Sequence, residues 1–283
     1  MLLVILALLV VGAGLWWWNQ QRQHRAEMEA RDQLKQLEAI VQLNSSQKHV
    51  GTLMVRKELA KALPWIGQLP YLTHLDVADT GLTDSDLDQI AGLPRLYSLD
   101  ASNTQLTDDG VAKLTGVPLE TIFLAGTKIT GESLNQLAQI KSLKIVGLAG
   151  TAVQDNVAAL TKLPKLEWIV LDDVDLSKID QQTLDSLAQM PMLGRLSVLR
   201  TNIPEDALKR LLSAKPALKI DSGSAVKTVN PGAGPANASA ARANPGAAPA
   251  AAESEGVDQG TEPADDGQPA ESSSAADGKP AGN

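Results

Sequence analysis

From Leu69 to Leu218 the apolar and polar positions recur in a fixed order. An apolar residue is followed by two spacers, an apolar residue, one spacer, an apolar residue, two more spacers and then, in five of six copies, threonine. The copies read Leu72-Leu75-Val77-Thr80, Leu96-Leu99-Ala101-Thr104, Leu119-Ile122-Leu124-Thr127, Leu143-Val146-Leu148-Thr151, Leu166-Ile169-Leu171-Val174 and Leu193-Leu196-Val198-Thr201. Leu218 begins a truncated seventh, and the first positions lie 24, 23, 24, 23, 27 and 25 residues apart. The alternation inside each copy predicts a short strand with one face buried and the other in water. A further apolar residue (Leu82, Leu106, Ile129, Val153, Leu176 or Ile203) turns back toward the interior. Pairs at helical spacing follow: Leu87/Ile90, Val111/Leu114, Leu134/Leu137, Leu184/Leu187 and Leu208/Leu211. Pro94, Pro118, Pro164, Pro191 and Pro216 then bar each helix from running into the next strand. No copy can bury its own face, so the stack is the folding unit.

The turn threonines can satisfy backbone groups that the turn leaves unpaired, which predicts a threonine ladder broken once at Val174. Thr83-Asp84, Thr107-Asp108 and Thr130-Gly131-Glu132 read as helix N-caps with an acidic first turn. The whole pattern, L-x-x-L-x-L-x-x-T-x-L-T-D-x-x-L-x-x-L, resembles bacterial leucine-rich repeat domains of a threonine-ladder type, most closely at Leu72–Ile90 and Leu96–Leu114. Val174 in the threonine place, an insertion around Asp175–Asp180, and spacers missing near Val117-Pro118 and in the fourth helix depart from it. The resemblance implies an α/β right-handed solenoid with parallel strands on its concave face and short helices on its convex face. It also implies a protein partner on the concave face, without catalysis and without a cofactor.

Outside the repeats the pattern changes four times. Residues 1–18 include an uncharged run, Leu2–Trp18, ending in three tryptophans. As a helix it would reach about 25 Å, enough for a membrane span acting as a signal anchor. A cleavable signal peptide is the alternative, with Val11-Gly12-Ala13 as its small-residue site. The first cations, Arg22, Arg25, Arg31 and Lys35, follow the run, which places the bulk of the chain on the cytoplasmic side of a bacterial inner membrane. The Ala/Pro-rich C-terminus would suit a periplasmic location instead. Residues 19–47 read as a helical polar stalk: Ala26, Ala30, Leu34, Leu37 and Val41 share one face, and Glu27/Arg31 form an i,i+4 pair. That face could equally make a short dimeric coiled coil. Residues 48–68 supply an N-terminal cap, 69–221 the repeats, and 222–283 a tail with only three large aliphatics and no aromatic. Such a tail cannot bury enough apolar area to offset ordering entropy and is expected to be disordered.

Charge and composition narrow the function. Residues 48–221 carry 18 basic and 21 acidic residues and the tail 3 and 8, within a net charge of −8. A mildly acidic domain without a basic stripe argues against nucleic acid. With no cysteine, disulfides and thiolate chemistry are excluded. His24, His49 and His74 match no zinc spacing; His74 with Asp76 offers at most a weak metal or proton-transfer site on a solvated strand. Asp172, Asp173, Asp175 and Ser177 suggest calcium, but Lys178 and Leu184 stand where an EF-hand loop needs glycine and glutamate.

What remains is the strand face turned from the interior: His74/Asp76, Ser98/Asp100, Thr121/Phe123, Ile145/Gly147, Trp168/Val170 and Arg195/Ser197. It is graded, acidic at first, apolar in the middle and basic at the end. Phe123, Ile145, Trp168 and Val170 form the expected contact core for a protein partner, oriented by Asp76, Asp100, Arg195 and Arg200. The expected function is a non-catalytic, membrane-tethered binding scaffold. The alternative is a cell-envelope tethering protein whose tail makes the main contact.

Overall fold

The computed structural model describes the backbone of Leu2–Gly223 and the side chains from Leu9 to Gly223. The expected tail therefore lies, from residue 224 on, outside the described residues. Six repeats each contribute a three-residue strand: β3 His74–Asp76, β4 Ser98–Asp100, β5 Thr121–Phe123, β6 Ile145–Gly147, β7 Trp168–Val170 and β8 Arg195–Ser197. β9 Lys219–Asp221 is the truncated seventh. They pair in chain order, all parallel, behind a cap hairpin of β1 Ile40–Leu43 and β2 Val50–Met54. Leu75, Leu99, Ile122, Val146, Ile169 and Leu196 are register partners in one buried row. This is the leucine-rich-repeat architecture that the spacing predicts, and every repeat apolar position named above is buried except Ile203, which packs partly buried against the core. A fully buried Leu, Ile or Val contributes ~1.5–3 kcal/mol, so the row and its neighbours hold the stack.

The connections return as α3 Asp108–Lys113, α4 Gly131–Leu137, α5 Gln181–Gln189 and α6 Glu205–Ala214 in repeats two, three, five and six. Repeats one and four return as 3-10 segments, Asp86–Gln89 and Gln154–Lys162, the second kinked at Asn156.

The turn threonines serve the backbone as expected, each within its own repeat: Thr80, Thr104, Thr127, Thr151 and Thr201 donate to the carbonyl three residues back, at 2.5–2.9 Å. At Val174 the backbone amide serves that carbonyl, Leu171 O, at 3.2 Å, so the repeat closes without a hydroxyl. Besides the strand ladder, aspartate side chains link one repeat to the next. Asp84 accepts from Thr107 N at 2.9 Å and Thr107 Oγ1 at 2.6 Å, and Asp108 likewise from Thr130 N at 2.8 Å and Thr130 Oγ1 at 2.7 Å. Ser133 Oγ also donates to Asp108. Burial pushes the Asp108 carboxyl up, but the bonds from Ser133 and Thr130 outweigh it and hold it below the usual carboxylate range. Of the three expected caps only Thr130 uses its side chain on its own helix, accepting from Glu132 N at 3.3 Å.

The N-terminal region also differs from expectation. α1 runs from Leu2 to Gln36 without a break, and α2 Leu59–Ile66 packs against it. The polar stalk expected over 19–47 is helical only to Gln36, and Ile40–Leu43 already belongs to the sheet. Ala30 and Leu34 are fully buried against the cap, with Leu37 and Val41 partly so, and the face available for a coiled coil is consumed within the chain. Glu27 does not pair with Arg31. Its carboxylate is 3% exposed and accepts from Val50 N at 2.9 Å, with His49 Nδ1 at 2.7 Å, because a buried charge needs partners at close range. Before Glu27 the helix is exposed over Leu9–Arg25, Trp16, Trp17 and Trp18 by 58–65%. The expected span at Leu2–Trp18 falls partly outside the described side chains. Among the described residues no helix is long and apolar enough to cross a membrane.

Candidate functional site

Pleating sends the first and third residues of every strand to the face opposite the buried row. One column runs His74, Ser98, Thr121, Ile145, Trp168, Arg195 and Lys219; the other runs Asp76, Asp100, Phe123, Gly147, Val170, Ser197 and Asp221. Neighbouring members are about one strand spacing apart, ~4.8 Å. Seven of the eight expected site residues thus share the strand face, and the eighth, Arg200, sits in the turn beyond β8. Phe123, Ile145, Trp168 and Val170 are half-buried on that face, on adjoining strands. The Phe123 ring lies over Gly147, where an added methyl would collide with its Cδ1. Ala125 and Ala149 flank the group, and Gly126 and Gly150 beside them are exposed.

The backbone beyond each strand repeats one further feature. Asp79, Asn103, Gly126, Gly150, Asp173 and Arg200 occupy the same position in six repeats and all have φ between 55° and 64°. That left-handed conformation suits Gly, Asn and Asp, and is strained for Arg. Their side chains pair along the stack: Asn103 Nδ2 donates to Asp79 Oδ1 at 2.8 Å, and the Arg200 guanidinium holds both Asp173 oxygens at 2.7 and 2.5 Å.

The expected acidic-to-basic gradient is corrected by counter-ions within the chain. Arg56 of the cap grips both Asp76 oxygens at 2.5 Å, and this bond raises the Arg56 pKa above its ordinary value. Arg195 donates to Asp221 at 2.9 Å while its guanidinium sits 4.5 Å from the Trp168 ring centroid, a cation–π contact. The bond from Arg200 draws Asp173 below the carboxylate range. Exposed pairs of this kind contribute ~0–1 kcal/mol each, so they align side chains more than they stabilise. Asp100 has no such guanidinium of its own. Burial pushes its carboxyl up, and its close contact is with Ser102 N at 3.0 Å. Arg56 and Asp221 were not singled out from sequence, because pairing across the repeat period depends on register.

Trp168 carries a further signal: its Nε1 is buried and has no hydrogen-bond partner among the described residues. A buried donor left unmatched costs ~1–3 kcal/mol.

The other candidates resolve into local structure. His74 Nδ1 meets Thr73 Oγ1 at 2.8 Å, and burial lowers its pKa, while Asp76 is taken by Arg56. The residues suggested for calcium are spent separately. Asp172 binds Ser197 Oγ at 2.6 Å and Leu199 N at 2.9 Å, Asp173 binds Arg200, and Asp175 accepts from Ser177 N at 3.0 Å. Among the described residues no three His, Asp or Glu side chains converge as metal ligands. Chemically, the face offers apolar contact, one cation–π pair and oriented carboxylates.

Neither a protein-family model nor a curated protein sequence matches the chain. Among solved structures it is similar to an internalin from Listeria monocytogenes, at 18% identity and a TM-score of 0.40, covering 58% of this chain and 60% of that one. It is also similar to a leucine-rich-repeat protein from Leptospira interrogans, at 20% identity and a TM-score of 0.45, covering 62% and 50%. The chain thus spans between half and three fifths of the length of those proteins.

Proposed function

We propose that this leucine-rich-repeat solenoid is a non-catalytic scaffold that binds a protein partner on its concave face and is held to a membrane by Leu2–Trp18. The observation that carries the first half is the apolar group Phe123, Ile145, Trp168 and Val170, half-buried between two ends where Asp76, Arg195 and Arg200 already have counter-ions. Such a centre, with a polar rim and an unmatched Trp168 Nε1, has the composition of a binding hot spot. Asp76, Asp100, Arg195 and Arg200 orient the partner from the rim. The second half is supported by the run Leu9–Trp18, whose apolar side chains project from the fold with none of the described residues covering them. A contiguous apolar surface of this kind calls for lipid or another apolar cover.

The test is capture of a partner from a membrane extract by the full chain, compared with Trp168→Ala and with Lys162→Ala on the convex side. Trp168→Ala is expected to lose at least about tenfold in affinity, a hot-spot loss above ~1.4 kcal/mol, with its melting temperature unchanged. Equal capture by a folded Trp168→Ala protein overturns the concave-face reading. Loss of capture on deleting residues 224–283 alone would assign the contact to the tail.

A further inference from the structure

Between α1 and the cap lies a cleft lined by Gln20, Gln23, His24, Glu27, His49 and Tyr71. Its one buried charge, Glu27, is spent on Val50 N and His49. His49 stacks on Tyr71 with ring centroids 3.8 Å apart and planes 23° apart, and His24 meets it edge-on at 6.4 Å. The Arg95 guanidinium sits 4.8 Å from the Tyr71 ring, and Arg22 lies 5.7 Å from the Trp18 ring. With its carboxylate satisfied, the rest of the lining offers the Gln20 and Gln23 amides and the His24 imidazole, and Arg95 stands just outside it against Tyr71. Amide and imidazole N–H groups with a guanidinium beside them suit an oxyanion.

The position of the cleft along α1 is fixed. The helix is unbroken from Leu2 to Gln36 and is docked from Glu27 onward through Ala30 and Leu34. At ~1.5 Å per residue, Gln20 to Glu27 lie about 3–14 Å beyond Trp18. The headgroup layer of a bilayer is ~5–7 Å thick on each side of its hydrocarbon core. With Trp16–Trp18 in the interface, as the tether reading above requires, the cleft opens at the level of the lipid phosphates. We propose that the cleft between α1 and the cap binds the phosphate of an anionic phospholipid headgroup. A free phosphate ion shares the chemistry, but the anchor delivers only the headgroup to this height.

The test uses the full chain in lipid nanodiscs of phosphatidylcholine alone and with phosphatidylglycerol added. A photo-crosslinking residue is placed at Gln23, or at Gln154 on the far side as a control. Gln23 is expected to label lipid, with phosphatidylglycerol favoured several-fold over its share, and Gln154 to label none. His24→Gln and Arg95→Gln, both on exposed side chains, should each cut that preference, by about fivefold for the arginine. An inserted chain with no adduct at Gln23, or a preference unchanged in both variants, overturns the proposal. Loss of the adduct to millimolar inorganic phosphate would also overturn it, assigning the cleft to a soluble ion. A chain that does not enter the discs at all would instead refute the tether on which the proposal rests.

Discussion

Asp108 shows how much of the stack rests on single side chains. Its carboxylate closes one repeat onto the next with three bonds, and its pKa lies below the ordinary value. A carboxyl depressed in the folded state contributes stability that is complete above the unfolded pKa and is lost as pH falls through the folded one. Asp108→Ala is therefore expected to cost about 1–3 kcal/mol at pH 7, and the gap to the parent should close as the pH drops below about 4. Urea melts at pH 7 and pH 3 check this, and an unchanged gap would deny the carboxylate its role. Gly147 acts at the same scale on the candidate site. Gly147→Ala should force Phe123 off its seat, costing about 1–3 kcal/mol as overpacking and weakening partner capture several-fold. Calorimetry and the capture assay read the two effects separately.

Among the elements, α1 departs furthest from what its residues suggest in isolation. Read alone, Asn19–Asn44 is a polar helix with a thin apolar stripe. In the fold that stripe seals the open end of the first repeat, the task a terminal cap must perform in any solenoid. Glu27 fixes the helix to β2. Glu27→Ala leaves Val50 N buried without its acceptor and should destabilise by about 1–3 kcal/mol. Hydrogen exchange should then rise over 27–43 first, with the strands from β4 onward unaffected. Uniform protection across the chain in the variant would mean that the latch carries no local load.

For the whole molecule, the same docking predicts where the chain can be shortened. Among the described side chains, removal of residues 1–25 takes away only exposed ones, so the melting temperature should hold within a degree or two. Removal of 1–37 strips Glu27, Ala30 and Leu34 from the cap. With ~1.5–3 kcal/mol for a buried leucine and the Glu27 bonds besides, the midpoint should fall by about 10 °C. Thermal melts of the two truncations in detergent-free buffer test this directly.

The repeat period, the strands, the buried row and the membership of the concave face were all legible in the residues, because period-two and period-24 patterns are local bookkeeping of one buried face. The left-handed column was visible only in part: Gly126 and Gly150 announce it, whereas Arg200 conceals it. What tertiary structure alone decided is which polar groups meet. Arg56 with Asp76, Arg195 with Asp221, Asp108 with Thr130 and Glu27 with His49 lie 20, 26, 22 and 22 residues apart. Nothing in their own neighbourhoods pairs them. Only the ~4.8 Å spacing of stacked strands, and the docking of α1 on the first of them, brings such distant groups within hydrogen-bond reach.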